Sequence, residues 1–151
     1  MDMLFPIAPT DKFSMILGIP IMLLLLAVLV LTVLTMTPIG RGAVKVSSEE
    51  MKIKIPIYGR SVLLRSLILE SARIVDLKAE TSLRPTLRTN GIGLPNYSLG
   101  WFKLKNGEKA LAVLTDKHKV LYIPTHDGYS ILISPVEPEM LLDELKKQAH
   151  G

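Results

Sequence analysis

Residues 13–40 carry no charged side chain, and most of them are apolar. No other property of the chain constrains its fold as strongly. Phe13 to Met36 is a continuous run whose apolar character is interrupted only by Ser14, Gly18, Pro20, Thr32 and Thr35. As a helix at ~1.5 Å per residue it would reach roughly 36 Å, enough to cross a ~30 Å hydrocarbon core with some tilt. A helix satisfies its own backbone polar groups, so such a run can sit in lipid. Thr10 and Asp11 supply an N-cap, and Pro20 is expected to kink the helix or loosen its first turns. Thr32 and Thr35 can bond back to the preceding turn, and Pro38 with Gly40 ends the helix. The expectation is a transmembrane α-helix over residues 13–37, with a short tail at 1–12 and a linker at 38–42. A cleaved signal peptide fits less well, because the leading segment is barely basic and the apolar run exceeds the usual length. A core helix fits less well too, because the rest of the chain is too short to cover it on all sides.

Lys12 precedes the run, and Arg41, Lys45, Lys52 and Lys54 follow it closely. The positive-inside rule then favours a single-pass protein of the cell membrane with its C-terminal domain in the cytoplasm. The same four basic residues could contact anionic headgroups, at ~1 kcal/mol each near the surface, or act simply as a topogenic signal.

Residues 41–151 hold 17 Lys/Arg against 12 Asp/Glu, a net +5 (17 − 12), and a little under half of this part is apolar. That is ordinary for a globular domain with one modest core. The sequence has no cysteine, which excludes disulfides, thiolate metal sites and a catalytic thiol. The charge excess is small, so no nucleic-acid partner is expected.

The pattern in this part is mostly β. In Met51-Lys-Ile-Lys-Ile-Pro-Ile57 apolar residues alternate with Lys52 and Lys54, a half-buried strand whose end Pro56 places at an edge. Ala43–Val46, Ser61–Arg65 and Ala72–Leu77 read as further strands, and Leu67–Leu69 as a helical turn. Residues 78–98, with Pro85, Asn90-Gly91, Gly93 and Pro95, read as a long loop. Leu99–Lys105 and Glu108–Thr115 are joined by Asn106-Gly107, the strongest short-range hairpin signal. Lys119–Pro124 and Tyr129–Ile133 bring the candidate strands to eight. A C-terminal helix follows, with Ser134 and Glu137 at capping-box spacing, Pro138 in its first turn, and Leu141, Leu142, Leu145 and Ala149 as its apolar stripe.

Many strands followed by one amphipathic helix is the outline of the pleckstrin-homology superfold. The segments Asn90–Asp116, Val120–Gly128 and Leu132-Ile-Ser-Pro135 resemble the bacterial PH-like domain family. They match its Gly-rich lead into an aromatic strand, its Thr-Asp strand end, its tyrosine strand and its Ser-Pro helix entry. The resemblance covers roughly residues 43–148, within a domain expected over 43–149. It implies a mainly β barrel of about seven antiparallel strands closed by a C-terminal α-helix, displayed by a membrane tether. Phosphoinositide-binding PH domains carry a Lys…Arg-x-Arg cluster; here the nearest candidates are Lys52, Lys54, Arg60 and Arg65, and Val62 occupies the place of the second arginine.

No catalytic or metal-binding set stands out. Asp116-x-His118 and His126-Asp127 pair acid with base, but in tight turns where both residues are commonplace. Neither a cofactor nor catalysis is expected. The long loop has the best claim to function, through Arg84, Arg88, Asn90, Gly91, Gly93 and Tyr97. The reading is a membrane-anchored, non-catalytic interaction module that binds a protein partner or the bilayer surface and is able to self-associate. The alternative is an accessory subunit of a membrane enzyme or transporter complex.

Overall fold

The computed structural model describes residues 12–36 and 42–151, in two compact units divided after Pro38. The N-terminal tail before Lys12, the Thr10-Asp11 cap, Pro38, Gly40, Arg41 and the linker up to it lie outside the described residues.

The first unit contains α1, Lys12–Met36, with Pro20 inside it. Thr32 Oγ1 donates to the carbonyl of Val28 at 2.8 Å, as expected of a threonine in an apolar helix. The expected membrane span is corrected. Among the described residues no helix is long and apolar enough to cross a membrane. The transmembrane helix, the single-pass cell-membrane location and the orientation drawn from it therefore do not stand.

The second unit is a two-sheet β structure with a helix at its end. The smaller sheet is an antiparallel meander of β1 (Ala43–Val46), β2 (Glu50–Lys54) and β3 (Arg60–Leu63). Met51, Ile53 and Val62 point into the core, while Lys52 and Lys54 face solvent, so the alternation in β2 is seen, but β2 ends before Pro56 and is the central strand of its sheet, not an edge. The larger sheet has six strands: β4 (Arg73–Val75), β5 (Pro85–Leu94), β6 (Tyr97–Leu104), β7 (Lys109–Leu114), β8 (Val120–Pro124) and β9 (Ser130–Ile133). Their spatial order is β4-β8-β9-β7-β6-β5.

The expected closed barrel of about seven antiparallel strands is also corrected. Nine strands are described, β9 runs parallel to β7, and the edges β4 and β5 do not pair. The parallel pair arises because β9 slots between β7 and β8. Residues 115–119 thus step across two strand spacings, about 9.6 Å, which a connection of that length can reach.

Both faces of the inner strands β7, β8 and β9 are buried, which explains their near-continuous apolar sequences. One face sets Leu111, Leu121, Ile123, Ile131 and Ile133 against Met51, Ile53 and Val62 of the smaller sheet and Leu145 of α2 (Pro138–His150). The other gathers Phe102, Leu104, Ala110, Ala112, Leu114, Val120 and Leu132 beneath Leu77 and Leu83. In α2, Leu145 is fully buried and Leu141 and Leu142 pack partly, but Ala149 is exposed. The capping box does not form. Glu137 is the N-cap without a side-chain bond, and Ser134 Oγ instead accepts the N–H groups of Thr115 and Asp116, at 2.8 and 3.2 Å. It thereby ties down the β7–β8 step.

Candidate functional site

The stretch read as a loop, residues 78–98, is largely a strand. After a 3-10 turn at Thr81–Leu83, β5 runs from Pro85 to Leu94 and turns at Pro95-Asn96 into β6. Arg84 fixes where it starts: its side chain donates to the carbonyls of Leu77 and Lys78, at 2.5 and 2.8 Å. The pairing of β5 with β6 shifts register between Pro85 and Leu87 and again between Arg88 and Asn90. Such irregularities bend a strand and sharpen its twist.

Gly91 and Gly100 face each other where the two strands approach most closely. A Cβ on Gly100 would lie 2.5 Å from the Asn90 carbonyl oxygen, and Gly100 has φ +115°. A Cβ on Gly91 would collide with the Leu99 carbonyl oxygen. These glycines permit contact between backbones.

The bent hairpin leaves a cavity of about 740 Å³ on the face of the large sheet that carries Phe102 and Leu114. Leu77, Pro85, Leu94, Pro95, Phe102 and Leu114 supply apolar wall, and Gly93 leaves room over the Phe102 ring. Among the described residues its charged lining is Lys78, Arg84, Arg88 and Lys117, with no carboxylate. Lys117 Nζ reaches across to the carbonyl of Pro95. The neighbouring acids are engaged elsewhere. Glu80 pairs with Arg73, and Asp76 Oδ2 sits 3.0 Å from His118 Nδ1.

Three of the six loop residues, Arg84, Arg88 and Gly93, thus meet at one cavity. The others have different surroundings. Asn90 Oδ1 accepts from the Tyr58 hydroxyl at 3.3 Å, Gly91 backs Gly100, and Tyr97 opens β6, where burial pushes its phenol up. Lys78 and Lys117 escaped the sequence reading because they lie 39 positions apart (117 − 78) and meet only through the fold. The hint available was charge: from Thr81 to Gly107 the chain has Arg84, Arg88, Lys103 and Lys105 and no acidic residue.

Lys45, Lys52 and Lys54 come together on the solvent face of the smaller sheet, where Lys45 stands directly opposite Lys52. Like charges in that position repel. Trp101 and Phe102 divide as adjacent strand residues must. Phe102 is buried, while Trp101 lies on the opposite face against Tyr129, with Arg60 and Lys109 over its ring at 5.4 and 4.6 Å.

The acid–base pairs take unexpected partners. Asp116 Oδ1 accepts the backbone N–H groups of Lys117 and His118, at 2.6 and 3.0 Å, which makes it a turn residue. The His118 N–H holds its carboxyl below the usual range. Asp76 is held low first by the Lys78 N–H and then by His118. A second cluster joins Glu108 Oε2 to the hydroxyls of Tyr122 and Ser130, each at 3.1 Å. Ser130 is 4% exposed while Glu108 is exposed, so this is a satisfied network that runs from the core edge to the surface. Burial is the main cause of the raised Tyr122 phenol. Among the described residues no three His, Asp or Glu side chains cluster as metal ligands.

The second unit is thus two sheets with a bent edge strand and a terminal helix. The model of the bacterial PH domain family matches residues 42–149, well over half of the chain. The chain belongs to that family. No curated protein and no solved structure matches it.

Proposed function

We propose that this PH domain is a non-catalytic interaction module that docks an extended, acidic segment of a protein partner along β5. The observation that carries the reading is the position of β5. It is a long strand at the edge of the six-stranded sheet, paired on one side by β6. An edge strand offers its open side to an incoming strand, and side-chain contacts set the choice of partner. Leu87 and Leu94 project at 61% and 59% exposure, beside a run that carries four basic residues and no acidic one.

The test places a photo-crosslinking amino acid at Leu87, with Met140 on exposed α2 as control. A discrete adduct at Leu87 that Arg88→Glu abolishes, with none at Met140, supports the reading. Equal crosslinking at both positions, or none at Leu87, refutes it.

A further inference from the structure

We propose that the cavity behind β5 binds a small amphiphile with an anionic head and one unbranched apolar tail. Its volume, about 740 Å³, is within the ~300–1,000 Å³ usual for small-ligand sites. Its chemistry is divided in the same sense as such a molecule. Leu77, Leu94, Phe102 and Leu114 offer apolar wall, and Lys78, Arg84, Arg88 and Lys117 offer positive charge.

That charge is not neutralised from within. Arg84 and Lys117 spend donors on the carbonyls of Leu77, Lys78 and Pro95, which satisfies hydrogen bonds but leaves the charge in place. Of the neighbouring acids, Glu80 pairs with Arg73, while Asp76 and Asp116 are turned to His118 and to the 116–118 turn, and none of the three lines the cavity. An anionic head would complete the electrostatics. A tail would cover apolar wall that otherwise faces water.

Gly93 gives a handle that leaves charge unaltered. Its Cβ position is 3.5 Å from the Phe102 ring, an ordinary contact, and its φ is not in the left-handed region. A leucine there would project over Phe102 and occupy the space assigned to the tail.

The experiment is calorimetric titration of the full chain with octanoate, decanoate and decanol, each below its aggregation limit. Burial of a methylene is worth about fourfold in affinity, so decanoate should bind about fifteenfold more tightly than octanoate. Decanol lacks the charge and should bind about tenfold more weakly than decanoate. Gly93→Leu should abolish decanoate binding. The pair Arg88→Gln, Lys117→Gln should weaken decanoate while leaving decanol unchanged. Equal affinity for decanoate and decanol, no gain with tail length, or wild-type binding by Gly93→Leu would each overturn the proposal. If Gly93→Leu lowers the melting temperature, the charge pair and the tail series decide. Gly93→Leu leaves Leu87 and Arg88 in place, so failure here and failure of peptide docking are distinguishable.

Discussion

The close approach of β5 and β6 makes Gly100→Ala a severe test of how the edge is built. Alanine at φ +115° costs about 1–3 kcal/mol in backbone strain before any contact is counted. The new Cβ would also lie 2.5 Å from the Asn90 carbonyl oxygen, against an ordinary contact distance of 3.4 Å. Because that neighbour is backbone, a side-chain rotation cannot relieve the clash. The strands must part by about 0.9 Å (3.4 − 2.5). A ladder bond of ~2.9 Å would then stretch to ~3.8 Å, beyond hydrogen-bonding range. Loss of two such bonds adds about 2 kcal/mol, for a total of roughly 3–5 kcal/mol. Against a stability of ~5–15 kcal/mol that is a large fraction. Urea unfolding of the full chain measures the total, and hydrogen exchange at residues 88–100 measures its location. Gly91→Ala should also destabilise, and the double variant should lose less than the sum, since the strands part only once. A loss below about 1 kcal/mol for Gly100→Ala, or new exchange confined to other strands, would refute the account.

Three further outcomes are expected. Leu145→Ala should lower stability by about 2–5 kcal/mol in urea unfolding, because Leu145 is fully buried between α2 and the sheets. Ser134→Ala should lower stability by about 0.5–1.5 kcal/mol, since it removes the acceptor of the exposed Thr115 and Asp116 N–H groups, while Glu137→Gln should stay within about 0.5 kcal/mol. A capping box would give comparable losses for both. Asp76 and Asp116 titrate below 3.8 in the folded chain, so they favour folding above that pH and lose this contribution as pH falls through their folded values. Asp76→Asn should therefore flatten the acid limb of melting temperature against pH, and an unchanged slope would remove Asp76 from the acid response.

Local chemistry was legible in the chain; meetings between distant segments were not. Asn106-Gly107 announced its hairpin because the turn needs only those two residues, and Gly107 indeed has φ +93°. Met51 and Ile53 announced their face by alternation. β5 was missed because its side chains are mostly exposed on both faces, so no hydrophobic period marks it. It is a strand by virtue of β6, and Gly91 is a glycine because of Gly100. Ser134 misled for a similar reason. Its spacing to Glu137 is a helix signal, yet its oxygen is claimed by Thr115 and Asp116 from across the sheet. The candidate site divided along the same line. Arg84, Arg88 and Gly93 were visible in one segment, whereas Lys78 and Lys117 join them through the curl of the sheet. The apolar run misled in another way, since composition suggested a span where no described helix crosses a membrane.

The placement of β9 also governs the order in which the domain can be completed. It is the last of the described strands, yet it lies in the interior of the large sheet, parallel to β7 and antiparallel to β8. One short segment, Ser130–Ile133, forms the seam between a β5-β6-β7 half and a β4-β8 half. A nascent chain that has emerged only as far as Pro124 already has both halves and nothing to join them. Assembly of this sheet must therefore wait for the segment that follows, and until then two apolar edges remain for a chaperone, or a wrong partner, to meet.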